Sequence, residues 1–389
     1  MKKIIIIISV ILGIVAMGLG VYFAWKKTKA ILTPPSVSPP TTEQGLTSTT
    51  TGQLPTAKLK ILSNQPIFDY WIYRPEFGAV ATSTATSTGT ITRDSIVFYL
   101  NQEGKVFQIE KDGKDEAITS EPIENLQMIK SSSDGKRVLI KFGDLVSPKF
   151  TIFNSQAKIF ELLPENITAA AFSPDAKKIA YLENKAGTSD LIVKDLVNPK
   201  QKPVRIISIS QKDFDLDWIS AEKIVLVPKP SAFYQASAWM IDTKKKTVSP
   251  LGAGINGLLI KWSNNGKIGL QFSSQSEGRE SRLNLINEQG LVQVGLDFVT
   301  LPDKCLISDP KIYCAIPKSI PAKTVLPDDY LKRAVYFRDA LYQIDISQNS
   351  LSEIFTEDEP AVDAVHLSIS DNQLLFINRY DGRLYSLEL

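Results

Sequence analysis

The sequence predicts an all-β fold: a seven-bladed β-propeller of four-stranded antiparallel blades, preceded by one transmembrane helix. Three observations predict it. A turn-then-strand phrase returns six times, four short strands fit within each return, and the two ends of the repeating region look like complementary parts of one blade. The phrase reads Asp134-Gly-Lys-Arg-Val-Leu-Ile, Asp175-Ala-Lys-Lys-Ile-Ala-Tyr and Ala221-Glu-Lys-Ile-Val-Leu-Val. It returns as Asn265-Gly-Lys-Ile-Gly-Leu-Gln, Asp309-Pro-Lys-Ile-Tyr-Cys-Ala and Asp371-Asn-Gln-Leu-Leu-Phe-Ile. The starts lie 41, 46, 44, 44 and 62 residues apart, a period typical of propeller blades. A single blade cannot bury both of its faces, so blades stack around an axis.

Each phrase marks the turn between the innermost and second strands of a blade. Asp, Asn and Gly supply the turn's backbone angles, and the β-branched residues that follow open a buried strand. Upstream lie apolar segments ending in Ser, such as Ala169-Ala-Ala-Phe-Ser, Asp217-Trp-Ile-Ser, Ile260-Lys-Trp-Ser and His366-Leu-Ser-Ile-Ser. Downstream lie third strands such as Leu191-Ile-Val-Lys-Asp and Leu341-Tyr-Gln-Ile-Asp, then a fourth.

The nine residues Ser173-Pro-Asp-Ala-Lys-Lys-Ile-Ala-Tyr resemble the WD40-like repeats of TolB-type propellers, roughly Ser-Pro-Asp-Gly-Lys-x-Ile-Ala-Tyr. The likeness is fair at 133–140 and degenerate elsewhere, and Ala176 stands where the pattern has Gly. Anchor plus repeats is the layout of uncharacterised bacterial surface propellers. The resemblance implies fold and placement, and no catalytic residue, because the repeat carries none.

The chain ends at Leu384-Tyr-Ser-Leu-Glu-Leu, a third strand lacking a fourth. Leu59-Lys-Ile-Leu-Ser-Asn-Gln-Pro-Ile resembles the fourth-strand junctions at Glu116 and Leu351. Residues 58–65 are therefore expected to complete the last blade, which brings the count to seven and covers an open edge.

Before the repeats, residues 1–3 form a short tail, 4–25 an uncharged run, and 26–57 a linker rich in Pro, Thr and Ser. The run from Ile4 to Trp25 is long enough to cross the hydrocarbon layer at about 1.5 Å per residue. A signal peptide would have a shorter apolar region and a small-residue cleavage site. Tyr22-Phe23-Ala24-Trp25 followed by lysines instead suits an interfacial anchor. Lysines on both sides leave the charge rule nearly balanced, but the stalk-like linker and the two cysteines favour an extracytoplasmic propeller over residues 58–389.

Formal net charge is +2, with five of the 44 basic residues flanking the apolar run. The remainder is slightly acidic and holds no basic tract, which argues against nucleic-acid binding. His366 is the one histidine. It reads as a packed or channel-lining residue, since no nucleophile or metal-ligand pattern accompanies it. No cofactor or metal is expected. Asp213, Asp215 and Asp217 alternate on one strand face; a solvated strand entry is the favoured reading over a Ca²⁺ site.

Cys305 and Cys314 flank a turn at 308–311, which opposes them across an antiparallel pair within disulfide reach. The alternative is two buried free thiols.

Candidate binding residues come from the loops between second and third strands, which are long in blades four to six. These are Pro228–Gln235, Ser273–Ser281 and the insertion Lys318–Arg333. Phe233, Tyr234 and Tyr330 are expected as contact surface, with Arg279, Asp328 and Asp329 as polar partners. The competing reading is decorative loops with their aromatics tucked against the sheet. Residues 76–93, rich in Thr and Ser, read as a flexible flap on the opposite face.

The resulting expectation is a membrane-tethered, non-catalytic binding module for an envelope protein or cell-surface glycan, held in the lipid bilayer by residues 4–25. The alternative is a carbohydrate-active enzyme using carboxylates near the central channel.

Overall fold

The computed structural model describes residues 59–389 apart from 76–94, 111, 186, 211–212, 349 and 358. The expected anchor at 4–25, the linker at 26–57 and the whole flap at 76–93 lie outside the described residues. Among the described residues, no helix is long and apolar enough to cross a membrane.

Among the described residues, the strands form five antiparallel sheets of four strands and one of seven. In four of the five four-stranded sheets, strands follow chain order outward from a common axis; in the fifth, the first described strand takes the outermost place. The first strands, including Ile67–Tyr73, Leu126–Ser131, Ile167–Phe172 and Phe214–Trp218, adjoin the first strands of neighbouring sheets. Last strands face solvent, and Ile159–Leu162 is exposed along its whole length.

The core lies between sheets. Trp71 and Phe98 of the first sheet stack at 5.7 Å and meet Phe153 of the second edge-on, beside Val138 and Ile140. Burying each such side chain contributes about 1.5–3 kcal/mol, so every sheet depends on its neighbours for most of its stability.

The recurring phrases fold as the hairpin between first and second strands. Ser173 Oγ accepts the N–H of Lys178 at 2.9 Å and donates to Asp175 Oδ1 at 2.6 Å. Ser132 with Asp134, and Ser263 with Asn265, repeat this arrangement. At the turn apex Gly135 has φ +68°, and a Cβ there would stand 1.9 Å from the Ile72 carbonyl oxygen of the preceding sheet. Glycine therefore lets the turn tuck under its neighbour. Ala176 takes the same left-handed backbone at φ 57°.

Leu59–Ile61 pairs antiparallel with Arg383–Glu388, Leu59 opposite Leu387, so the first described strand completes the sheet made by the chain's end. The Leu384 N–H also donates to buried Ser63 Oγ at 3.0 Å.

One expectation is corrected. Four separate short strands per unit fail between the third and fourth recurrences of the phrase. There Thr247–Trp262 is one 16-residue strand that pairs with Gln235–Asp242 by its first part and with Ile268–Ser274 by its second. The chain bends at Gly254 and Gly257, both at φ +66°, without breaking the strand.

Cys305–Ser308 pairs with Lys311–Pro317 in the register the turn requires: Ser308 opposite Lys311, and Cys305 opposite Cys314. The two cysteines are joined by a disulfide, their Cα atoms 4.1 Å apart.

Candidate functional site

The three elaborated loops fold against one another as a single surface. The loop after strand Lys223–Pro228 reaches a short helix, Asp328–Leu331, in the insertion. Asp328 Oδ2 accepts the Ala232 N–H at 2.7 Å, and its Oδ1 accepts the Ser231 hydroxyl at 3.2 Å. Ala232 O in turn accepts Asn256 Nδ2–H at 2.9 Å and the Glu277 N–H at 3.1 Å. Gly278, at φ +75°, lies so close to the insertion that a Cβ would stand 2.8 Å from Leu326 N.

Phe233 and Tyr234 project from this junction, 51% and 76% exposed. Arg279 is exposed on the second loop, where its guanidinium donates to Ser276 O at 3.3 Å and stands 4.0 Å from Glu277.

Three expected contact residues are instead engaged within the protein, Asp328 and Tyr330 buried and Asp329 half-buried. Asp328 is buried in the role just described, and Asp329 Oδ2 accepts the Val325 N–H at 2.7 Å, closing the turn that starts the helix. Tyr330 is only 4% exposed. It points away from solvent because a buried lysine, Lys304, needs partners on that side.

Lys304 ends a tight turn, Pro302–Lys304, just before the disulfide strand. Its Nζ donates to Tyr330 Oη at 3.0 Å, to Asp339 Oδ2 at 2.7 Å and to Asp363 Oδ1. The Tyr330 hydroxyl donates to Asp363 Oδ1 at 2.7 Å. Further donors to these carboxylates are the N–H groups of Ala364 and Phe337 and the Arg379 guanidinium. A buried charge set survives only when partnered in this way. Burial works against the Lys304 charge, but Asp339, with Tyr330 and Asp363, keeps it protonated beyond the ordinary lysine range. Burial pushes the Asp339 carboxyl up to about 6, with Lys304 pulling it down and Asp363 adding to the rise.

Arg379, from the turn of the last sheet, links this buried set to the surface. Its guanidinium lies 3.7 Å from the Tyr330 ring centre and 4.7 Å from that of Tyr336, between the two rings. Tyr336 meets Tyr380 at 5.7 Å with a 31° tilt, and the pair is 40% and 46% exposed. Sequence reasoning passed over Tyr336 and Tyr380 because the 379–382 turn is short. The available signal was the pairing of an aromatic with an arginine at both ends of the contact.

Around the axis, charges from first strands face each other. His366 Nδ1 stands 2.7 Å from Asp69 Oδ1. Lys130 Nζ donates to Leu216 O at 2.7 Å and Asp217 Oδ1 at 3.0 Å, and Lys261 Nζ donates to Cys305 O at 2.7 Å. Burial lowers Lys261 below the usual lysine range despite Asp303, Asp69 and Asp217. Asp213 and Asp215 are exposed and Asp217 is engaged by Lys130, in keeping with a solvated strand entry. Among the described residues, no three His, Cys, Asp or Glu side chains are grouped to hold a metal ion.

No family model matches the chain, and no curated protein matches it. Solved structures do. Oligogalacturonate lyase from Vibrio parahaemolyticus is 11% identical with a TM-score of 0.54, covering 86% of this chain and 97% of that one. The Swd1 β-propeller domain of Myceliophteria thermophila is 10% identical with a TM-score of 0.50, covering 85% and 100%. A likeness to tricorn protease, 10% identical with a TM-score of 0.47, covers 75% of this chain but only 32% of that protein. At these identities the likeness shows the fold, a β-propeller, and nothing of the chemistry.

Proposed function

We propose that the chain is a seven-bladed propeller, tethered by residues 4–25 on the extracytoplasmic side of a membrane, and that it works as a non-catalytic binding module. The seven-stranded sheet counts as two blades sharing Thr247–Trp262, which supports seven. The partner is an envelope protein or a cell-surface glycan, engaged by the face built from loops 229–234, 275–281 and 318–338. One observation carries the reading. Asp328 locks the first and third of these loops together while Phe233 and Tyr234 are left projecting from the junction. A rigid support that presents aromatics to solvent suits recognition. The TolB-like repeat at 173–181 agrees with this placement.

The test uses full-length protein in detergent, compared with Phe233→Ala/Tyr234→Ala, in pull-downs from envelope extract and on a glycan array. A partner retained by the first and lost by the second supports the reading; identical capture by both removes it.

A second reading, a carbohydrate-active enzyme, draws on the axial charges and on the fold shared with oligogalacturonate lyase. His366 beside Asp69 offers a proton-transferring pair near Lys261. Turnover of an oligosaccharide panel, abolished by Asp69→Asn, would favour it.

A further inference from the structure

We infer that the loop face extends to the last sheet's turn, and that the ligand it takes there is an acidic carbohydrate chain, stacked on Tyr336 and Tyr380 and held by Lys332, Arg333 and Arg338. The inference rests on the loop-face reading and narrows it to one ligand class.

The platform is built before any ligand arrives. Tyr336 and Tyr380 share a contact at 5.7 Å and keep large parts of both rings exposed. Behind them, Arg379 is fixed by hydrogen bonds to Asp363 Oδ2 at 2.9 Å and Tyr330 O at 3.0 Å, and its guanidinium lies over the Tyr336 ring. Those anchors belong to the buried Lys304 set, so the rings lose little freedom on binding.

The insertion that carries Tyr336 is rich in exposed cations. Residues 318–338 carry Lys318, Lys323, Lys332, Arg333 and Arg338, every one exposed. The acids of the same stretch, Asp328 and Asp329, are turned onto the N–H groups of Ala232 and Val325, with Lys332 Nζ 4.0 Å from Asp328 Oδ1. Lys318 is occupied by Thr356 O at 2.6 Å, towards the acidic connection containing Glu357 and Glu359. Asp381 accepts the Tyr385 hydroxyl at 2.7 Å and the Arg383 N–H at 3.0 Å. Arg338 lies near enough to act on Tyr380, whose phenol burial and Asp363 raise and Arg338 draws down.

A sugar ring with an acid group presents a flat C–H face for an aromatic ring and a charge at its rim. Both parts are matched within one residue of the chain. Tyrosine suits such a ligand because its ring is apolar and its hydroxyl is wet, while arginine pairs with an oxyanion through two N–H groups. An acidic peptide would have to supply stacking and charge from separate side chains.

The test is titration of the full-length protein in detergent with a galacturonate oligosaccharide, its methyl-esterified neutral form, and poly-glutamate. We expect the acidic sugar to bind, and the ester to bind at least about tenfold more weakly, a difference of about 1.4 kcal/mol. Tyr336→Ala/Tyr380→Ala and Lys332→Ala/Arg338→Ala should each weaken the acidic sugar by about tenfold without altering thermal unfolding. Equal binding of ester and acid, or indifference to both double variants, would overturn the inference. Poly-glutamate binding as tightly as the sugar, and surviving the tyrosine changes, would replace it with an acidic protein segment. Absence of any sugar binding, with a Tyr234-dependent partner still captured, would sink the inference and leave the broader face intact. Loss of both would remove the face altogether.

Discussion

His366 Nδ1 contacts Asp69 Oδ1 at 2.7 Å across the seam where the first strand of the last sheet meets the first strand of the first sheet. Tyr70, next to Asp69, crosses the same seam by donating to His366 O at 2.7 Å. The chain thus closes its ring at the axis with a titratable pair as well as at the rim with Leu59–Ile61.

Stability should fall as this pair loses its charge. Desolvation by the surrounding protein opposes protonation of His366, whose side chain is 44% exposed, yet the attraction and hydrogen bond of Asp69, with Asp303 adding and Lys261 opposing, keep its pKa above the ordinary 6.5. The folded value exceeds the unfolded one, so the contribution is complete below about pH 6.5 and is lost as pH rises through the folded value. His366 also has φ 55°, a backbone that asparagine tolerates. His366→Asn should therefore lower the melting temperature below neutral pH and have little effect in mild alkali. A melting-temperature difference that is flat with pH would show that the pair does not titrate.

Lys304→Met should cost about 3–5 kcal/mol, because it leaves Asp339 buried without its cation, while Asp363 keeps only Arg379. Asp339 already has its carboxyl raised to about 6, and without the lysine it should rise further. A proton taken up there relieves the unpaired charge, so the loss should be smaller at about pH 5 than at about pH 8. Urea unfolding at the two pH values measures it, and an equal loss at both would contradict the account.

What was legible in the sequence was local. The Ser-x-Asp turns could be read because each is completed by hydrogen bonds within six residues, as at Ser173 to Lys178. The cysteine pairing followed from the 308–311 turn, since register propagates from a hairpin without further information. Tyr330 was misread for the opposite reason. Its direction is set by Lys304, Asp339 and Asp363, which are brought together across sheets by the closed ring and share no sequence pattern. The Tyr336–Tyr380 platform was invisible on the same ground, because its support, Arg379, comes from a turn too short to attract notice.

Removing the disulfide should be a modest change. Cys305 and Cys314 are separated by nine positions, a short loop, so the cross-link restricts little of the unfolded chain and should contribute near the low end of about 2–4 kcal/mol. Cys305→Ala/Cys314→Ala should unfold at lower denaturant with the same cooperativity. Mass analysis of alkylated, unreduced protein checks the bond itself; modification of both cysteines would contradict it.

Gly278→Ala should separate the loops without unfolding the propeller. The glycine has φ +75°, where any side chain is strained, and its Cβ would meet Leu326 N at 2.8 Å and Val325 Cα at 2.9 Å. The backbone atoms it would strike belong to the turn that places Asp328, whose carboxylate holds the Ala232 N–H. Displacing that turn should free loop 229–234 from its support. Hydrogen exchange should then quicken at Ala232 and Gly257, whose amides donate across the junction. The strands Arg137–Gly143 and Lys178–Lys185, far from the junction in the chain, should keep their protection. Binding through Tyr234 should weaken along with the exchange change. Unchanged exchange at Ala232 would mean that the loops keep their arrangement independently of one another, and that Asp328 does not organise the face.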